Sequence, residues 1–244
     1  MTGVNLDLPD WPLPLADFTL DPSRTALVII DMQEMFCCSG VGLCVAVDTV
    51  PSIAEYLYPR VAEILPNQQR LLEHFRATKG RLVHVTIGPN CTDGSDLVPW
   101  RRRRNEKLRE QVSGMSYPGV SQSGHQIVPE LAPLPDELVL NKPSIGAFTS
   151  TALDFTLRSW GIQHVVFIGE ATNACVYTSA VQAADLGYDC AVVEDATAAW
   201  SEELHLASLQ NFALLFGRVV STDDVIAELT AGAELPRRGI PVPS

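Results

Sequence analysis

Short apolar runs recur along the chain, and longer stretches with helical spacing of apolar positions separate them. Six of these runs are rich in Val, Ile and Leu and predict strands at 25–31, 81–87, 137–141, 164–169, 189–195 and 218–222. Their apolar character is nearly continuous and does not alternate, which is typical of strands covered on both faces of a parallel sheet.

The segments between and after the strands carry the apolar stripe of amphipathic helices. We predict helices over 52–78, 150–160, 174–186, 202–215 and 223–230. Pro59 and Pro66 fall inside the first of them and are expected to kink or divide it. Alternation of strands and helices with short connections predicts an α/β fold, a three-layer α/β/α arrangement around a six-stranded parallel sheet.

Three segments lack this periodicity. We predict that the whole chain, 1–244, forms a single domain from which the Pro-rich ends, 1–23 and 232–244, extend as arms. The third segment, 88–136, is expected to be irregular and contains the basic run WRRRRNEKLR at 100–109. Irregular segments of this length inside a compact domain are usually functional or disordered.

Composition narrows the class of protein. The net charge is −12, which argues against nucleic-acid or anionic-membrane partners. No apolar stretch approaches the length of a membrane span, and the polar N-terminus does not resemble a signal peptide, so we expect a soluble cytoplasmic protein. The cysteines form no C-x-x-C motif and the histidines are scattered, so we predict no metal site.

Three chemically reactive residues follow predicted strands. Asp31, Lys142 and Cys175 each lie at or just beyond a strand's carboxyl end, the edge where α/β sheets bind ligands. Each has a simpler interpretation: the aspartate as a cap, the lysine as a solvated end, the cysteine as a small packed side chain. Their occurrence together on one edge favours a functional site.

A cysteine nucleophile would suit these surroundings. Cys175 begins a predicted helix, where free N–H groups and the helix dipole favour the thiolate. A lysine nearby would favour it further, and a carboxylate within reach could accept the thiol proton. The other five cysteines lack this setting, and Cys190, inside a strand, is expected to be core.

Three stretches resemble the isochorismatase-like cysteine hydrolases: ALVIIDMQEMF (26–36), with its D-x-Q-x-x-F pattern, LNKPSIGAFTSTALDFTLRSWGI (140–162) and VVFIGEATNACV (165–176). That family includes nicotinamidases, N-carbamoylsarcosine amidohydrolase, biuret hydrolase, ureidoacrylate amidohydrolase and isochorismatase. The resemblance implies the isochorismatase-like, Rossmann-like fold and a homo-oligomer, a dimer or tetramer. It implies no cofactor.

The resemblance also implies roles for individual residues. Asp31, Lys142 and Cys175 would form a catalytic triad. A cis peptide bond would join Glu170 to Ala171, and the N–H groups of Ala171 and Cys175 would form an oxyanion hole. Family members often have an aliphatic residue where this chain has Glu170, so the surroundings of that carboxyl are an open question.

The expected reaction is cysteine-dependent hydrolysis of a C–N bond in a small amide, ureide or carbamoyl compound, through a thioester, with release of ammonia or an amine. The segment GPNCTDGSD (88–96) lacks the Asp/His metal cluster of many nicotinamidases, which disfavours that activity. Alternatives are an isochorismatase-type ether hydrolase, which needs no nucleophilic thiol, and a non-catalytic binding or scaffold protein, which has no need of the triad.

Four residues are candidates for binding the substrate. The resemblance implies that Phe36 and Phe148 lie near the site. Arg101 is expected to pair with a substrate carboxylate, as a guanidinium does well, and Trp100 to line the same pocket. The alternatives are that the basic run is a solvated helix face or a subunit contact, and that Trp100 only packs.

Overall fold

The computed structural model describes residues 11–234. Its strands are β1 Thr25–Ile30, β2 Arg81–Ile87, β3 Leu138–Lys142, β4 His164–Glu170, β5 Asp189–Ala198 and β6 Arg218–Val220. Its α-helices are α1 Glu34–Cys37, α2 Cys44–Val47, α3 Pro51–Ala77, α4 Pro99–Gln111, α5 Leu153–Ser159, α6 Tyr177–Asp185, α7 Glu202–Leu215 and α8 Thr222–Glu234. A short 3₁₀ turn (Pro129–Leu131) and a π turn (Thr172–Val176) complete the set.

The strands form one parallel sheet in the order β3-β2-β1-β4-β5-β6. Two clusters of buried apolar side chains cover its faces, and the side chains of the central strands β1 and β4 alternate between them. The predicted α/β fold with six parallel strands is confirmed. Strand order reverses between β1 and β4, and in such sheets a ligand crevice opens beyond the strand ends at that point.

Helix α3 corrects one prediction. It runs unbroken from Pro51 to Ala77 with Pro59 and Pro66 inside it, so the prolines do not divide it. Both prolines lie on the exposed side of the helix, where water can bind the carbonyls that lose their partners. Packing of the opposite, apolar side against the sheet keeps the helix continuous.

The predicted irregular segments are partly helical. Helix α4 occupies 99–111 within the segment predicted to be irregular. Helix α8 continues to Glu234, so the predicted C-terminal arm cannot begin at 232, and its remainder, 235–244, lies outside the described residues. Residues 11–23 form no helix or strand, whereas 1–10 lie outside the description. Within 11–234, no helix has the length and apolar character needed to cross a membrane.

The close pairing of β1 and β4, where the strand order reverses, requires a glycine. Gly169 in β4 pairs with Ile30 in β1 and has a φ of +117°. A β-carbon there would lie 2.0 Å from the carbonyl oxygen of Ile30. The two strands that carry Asp31 and Glu170 can approach this closely only because position 169 has no side chain.

We expect Gly169→Ala to lower the free energy of unfolding by about 3 kcal/mol or more, because the methyl group collides with fixed backbone at a positive φ. Gly187→Ala is the matched control: its φ is +90° and an added carbon meets no atom within 4 Å. It should cost about 1–2 kcal/mol. Equilibrium urea unfolding measures both, and equal losses would contradict the steric explanation.

Candidate active site

A buried ion pair joins two strand ends. Lys142, the last residue of β3, donates from Nζ to Oδ2 of Asp31 over 2.7 Å, and both side chains are at most 1% exposed. Asp31 follows β1 with a φ of +50°, a conformation that aspartate tolerates better than most residues. Its N–H donates to the carbonyl of Val85 in β2, the strand between them, at 2.8 Å. The structure thus brings together two of the three predicted triad residues.

The cysteine lies in the π turn that follows β4. Cys175 is buried, and its carbonyl accepts a hydrogen bond from the hydroxyl of Ser179 at 2.6 Å. That hydroxyl in turn accepts from the N–H of Ala147 at 3.1 Å. At the start of the turn, the Thr172 hydroxyl lies 2.9 Å from Nδ1 of His205 in α7. These bonds hold the turn that positions the sulfur.

One cavity of about 230 Å³ receives most of the predicted site. Its lining includes Asp31, Cys175 and Ala171, whereas Lys142 lies behind Asp31 and does not line it. The peptide bond between Glu170 and Ala171 is cis, as the resemblance implied. The remaining lining residues are Phe36, Leu43, Arg101, Arg104, Tyr117, Ile145, Glu170, Asn173, Ala174 and Trp200.

Two of the four residues predicted to bind substrate line the cavity, and two do not. Phe36 and Arg101 line the cavity. Phe148 does not: its ring packs in the core, with its centroid 5.9 Å from that of Tyr188. Trp100 also lies outside the lining, because it points to the solvent side of α4 and is 45% exposed. Neither aromatic residue lines this cavity, and their contact with substrate stays a prediction.

Arg101 is the buried member of the arginine run, while the three arginines after it are exposed. Its guanidinium carbon lies 4.3 Å from the ring centroid of Tyr117, a cation–π contact. Nε and Nη1 have no hydrogen-bond partner within the described part of the chain. Burial lowers the pKa of Arg101 to about 10, so the group stays charged at neutral pH. A buried guanidinium with free donors is suited to bind an anion.

Burial dominates the electrostatics of the thiol. Burial, followed by the charge of Asp31, raises the pKa of Cys175 to about 12, and Lys142 and Arg101 oppose this only in part. Desolvation thus favours the thiol over the thiolate and outweighs the nearby cations, against the expectation from the helix start. Burial also raises the pKa of Asp31, which makes its carboxylate a stronger base for the thiol proton.

Sequence reasoning missed several lining residues. Leu43, Tyr117, Ile145 and Trp200 come from four separate segments and carry no local motif. Of the further lining residues, only Glu170 stands out in the sequence, because a carboxyl group directly after an apolar strand is unusual. Among residues 11–234, no three His, Cys, Asp or Glu side chains are grouped so as to hold a metal ion.

Comparison with known proteins decides the family. An isochorismatase domain model matches residues 25–224. The chain belongs to the isochorismatase family. Among its relatives is a ureidoacrylate amidohydrolase RutB from Stutzerimonas stutzeri, 30% identical over 241 residues, covering 96% of this chain and 93% of that protein. The RutB of Pantoea ananatis is 30% identical over 210 residues, covering 82% and 80%.

Solved structures of isochorismatase-family proteins share the fold. A cysteine hydrolase from Pseudomonas syringae superposes with a TM-score of 0.74 at 25% identity, covering 90% of this chain and 99% of that one. An N-carbamoylsarcosine amidase from Thermoplasma acidophilum gives 0.60 at 25% identity, covering 82% and 97%.

The charges around Cys175 predict that removal of the Asp31 charge makes the thiol more reactive. Because the charge of Asp31 raises the thiol pKa and Lys142 lowers it, Asp31→Asn should lower the pKa of Cys175. We expect Cys175 to react with iodoacetamide near neutral pH about tenfold faster in this variant, because more thiolate is present. Peptide mapping, with exposed Cys91 as internal reference, measures the rate. Unchanged or slower alkylation of Cys175 relative to Cys91 would contradict this account.

Proposed function

We propose that the protein is a cysteine-dependent hydrolase that cleaves the C–N bond of a small amide, ureide or carbamoyl compound. One observation carries the proposal: the Asp31 carboxylate, buried against Lys142, lines the same cavity as the thiol of Cys175. Lys142 donates to Oδ2 of Asp31 and leaves Oδ1 to other donors. Burial raises the pKa of Asp31, a hydrogen bond between the Cys175 thiol and this carboxylate partly opposes that rise, and the carboxylate can therefore accept the thiol proton.

Acylation forms a thioester. Asp31 accepts the thiol proton as the sulfur of Cys175 attacks the substrate carbonyl, and the carbonyl π electrons move to oxygen. The N–H groups of Ala171 and Cys175 stabilise that oxyanion, a contact worth roughly 10²–10³ in rate per donor. Asp31 then gives its proton to the departing nitrogen, the C–N bond breaks, and ammonia or an amine leaves.

Deacylation uses the same carboxylate. Asp31 takes a proton from a water molecule, the hydroxide oxygen attacks the thioester, and the C–S bond breaks. The proton returns to the sulfur, which restores the thiol. Throughout, Lys142 holds the carboxylate in place through the ion pair at 2.7 Å. Coupling of the two groups explains how a thiol with a high pKa can react, because deprotonation occurs only as attack proceeds.

The relatives support this reaction class. Those matched over most of their length are named ureidoacrylate amidohydrolases, and one similar structure is an N-carbamoylsarcosine amidase. We propose that the substrate carries a carboxylate that binds Arg101, as ureido and carbamoyl acids do. Phe36 would contribute apolar surface. The ether-hydrolase alternative has no use for Cys175, and the scaffold alternative has none for a carboxylate and a thiol that line one cavity. A homo-oligomer and a cytoplasmic location stay predictions.

We expect Cys175→Ala to lower the rate of ammonia release by at least about 10³-fold, because the nucleophile is lost. A coupled ammonia assay over small amides, ureides and carbamoyl amino acids, with wild-type protein, identifies the substrate first. Cys190→Ala is the matched control, since that thiol is buried in the core away from the cavity. Equal rates in the two variants would refute the mechanism.

Replacing the buried arginine should separate substrates by charge. Arg101→Met is expected to raise KM for carboxylate-bearing substrates about 10- to 100-fold, because charged hydrogen bonds to a desolvated anion are lost. Uncharged substrates should change little. Arg103→Met, in the same helix but exposed, serves as the control. An equal rise in KM for charged and uncharged substrates would exclude Arg101 as the carboxylate-binding residue.

A further inference from the structure

A second carboxyl lines the cavity, and the mechanism does not use it. Glu170 is the last residue of β4 and is 2% exposed. Gly169 of β4 pairs with Ile30 of β1. The residues that come next, Glu170 and Asp31, are therefore neighbours across these two strands, at the point where the strand order reverses. Both side chains line the same cavity. Two carboxyls therefore share one desolvated space.

Only one of the two carboxyls, that of Asp31, forms an ion pair within residues 11–234. Lys142 pairs with Asp31. Within residues 11–234, the only side chain in hydrogen-bond contact with Glu170 is that of Cys37, whose Sγ lies 3.9 Å from Oε2. No ion pair forms at Glu170 among the described residues. Arg101 interacts with Asp31 and Cys175.

These surroundings select the neutral form of Glu170. Burial, together with the negative charge of Asp31, raises the pKa of Glu170 well above its usual range. Two adjacent desolvated carboxyls cannot both ionise at low cost, and the one with the lysine partner keeps its charge. Burial and the nearby charge thus favour the protonated form of Glu170, which has an O–H donor and a C=O acceptor side by side.

We propose that Glu170 is a specificity-determining residue that binds a non-reacting amide edge of the substrate, donating a hydrogen bond to its carbonyl and accepting one from its N–H. This deepens the proposed function and rests on it. Arg101 would take an anionic group and Glu170 an uncharged one. The preferred substrate class is then a ureide or amide that carries a second carbonyl beside the scissile group, as an N-acylurea does.

Infrared spectroscopy tests the protonation state without any substrate. The spectrum of wild-type protein minus that of Glu170→Gln, at neutral pH, should contain the C=O band of a protonated carboxylic acid. Glu202→Gln, at an exposed position, is the control and should remove only ionised carboxylate bands. Carboxylate bands alone in the Glu170 difference spectrum would overturn the inference.

Binding tests the specificity without turnover. In a Cys175→Ala background, calorimetry compares an N-acylurea with the N-alkylurea of the same length, which differ by one carbonyl. We expect the acylurea to bind about tenfold more tightly, Glu170→Gln to keep this preference, and Glu170→Val to abolish it. The amide of glutamine keeps one donor and one acceptor, which valine lacks.

The outcomes separate the two proposals. A preference that survives in Glu170→Val, loss of the preference in Glu170→Gln, or no binding of either compound overturns the role of Glu170. None of these results bears on ammonia release by Cys175, which the substrate screen tests alone. Conversely, if the ammonia-release screen fails, the infrared and binding measurements still test the role of Glu170.

Discussion

The buried ion pair between Lys142 and Asp31 is the interaction on which the rest of the site depends. It joins the ends of β3 and β1 across β2, with almost no solvent access to either side chain. Two charges cannot be desolvated so deeply unless they compensate each other, and removal of one partner typically costs about 3–5 kcal/mol. Loss of either partner would therefore destabilise the fold, and the intact pair keeps a carboxylate ionised beside a thiol.

Burial and the charge of that pair together set the pKa of the two other acidic groups at the cavity, Cys175 and Glu170. Burial, together with the charge of Asp31, raises the pKa of Cys175 and of Glu170 and so favours the neutral form of each. Arg101 remains cationic and has donors without partners. The cavity thus presents a neutral nucleophile with its base, a neutral acid and a cation. These three functions suit recognition of a small polar molecule and transfer of its acyl group to sulfur.

Sequence reasoning succeeded where the signal was local. Continuous apolar runs located all six strands, because strands buried on both faces need such runs. The rule that parallel strands present their carboxyl ends on one edge selected Asp31, Lys142 and Cys175. It could not decide which side chains line the cavity, because that depends on distant contacts. Phe148 packs in the core, and Trp100 turns to solvent, since nothing in their neighbouring residues distinguishes a pocket from a packed interior.

The arginine run, 101–104, is a second case that the sequence could not decide. Four identical residues in succession cannot indicate which one faces inward, and only the packing of α4 buries Arg101 against Tyr117. The sequence by itself determined the alternation of strands and helices and the reactive residues at the strand ends. The tertiary structure alone decided which strands are neighbours, and hence that Asp31 and Glu170 share a cavity. The raised pKa of Glu170 follows from its burial and from the nearby charge of Asp31, because desolvation and Coulomb energy depend on distance in space and not on separation along the chain.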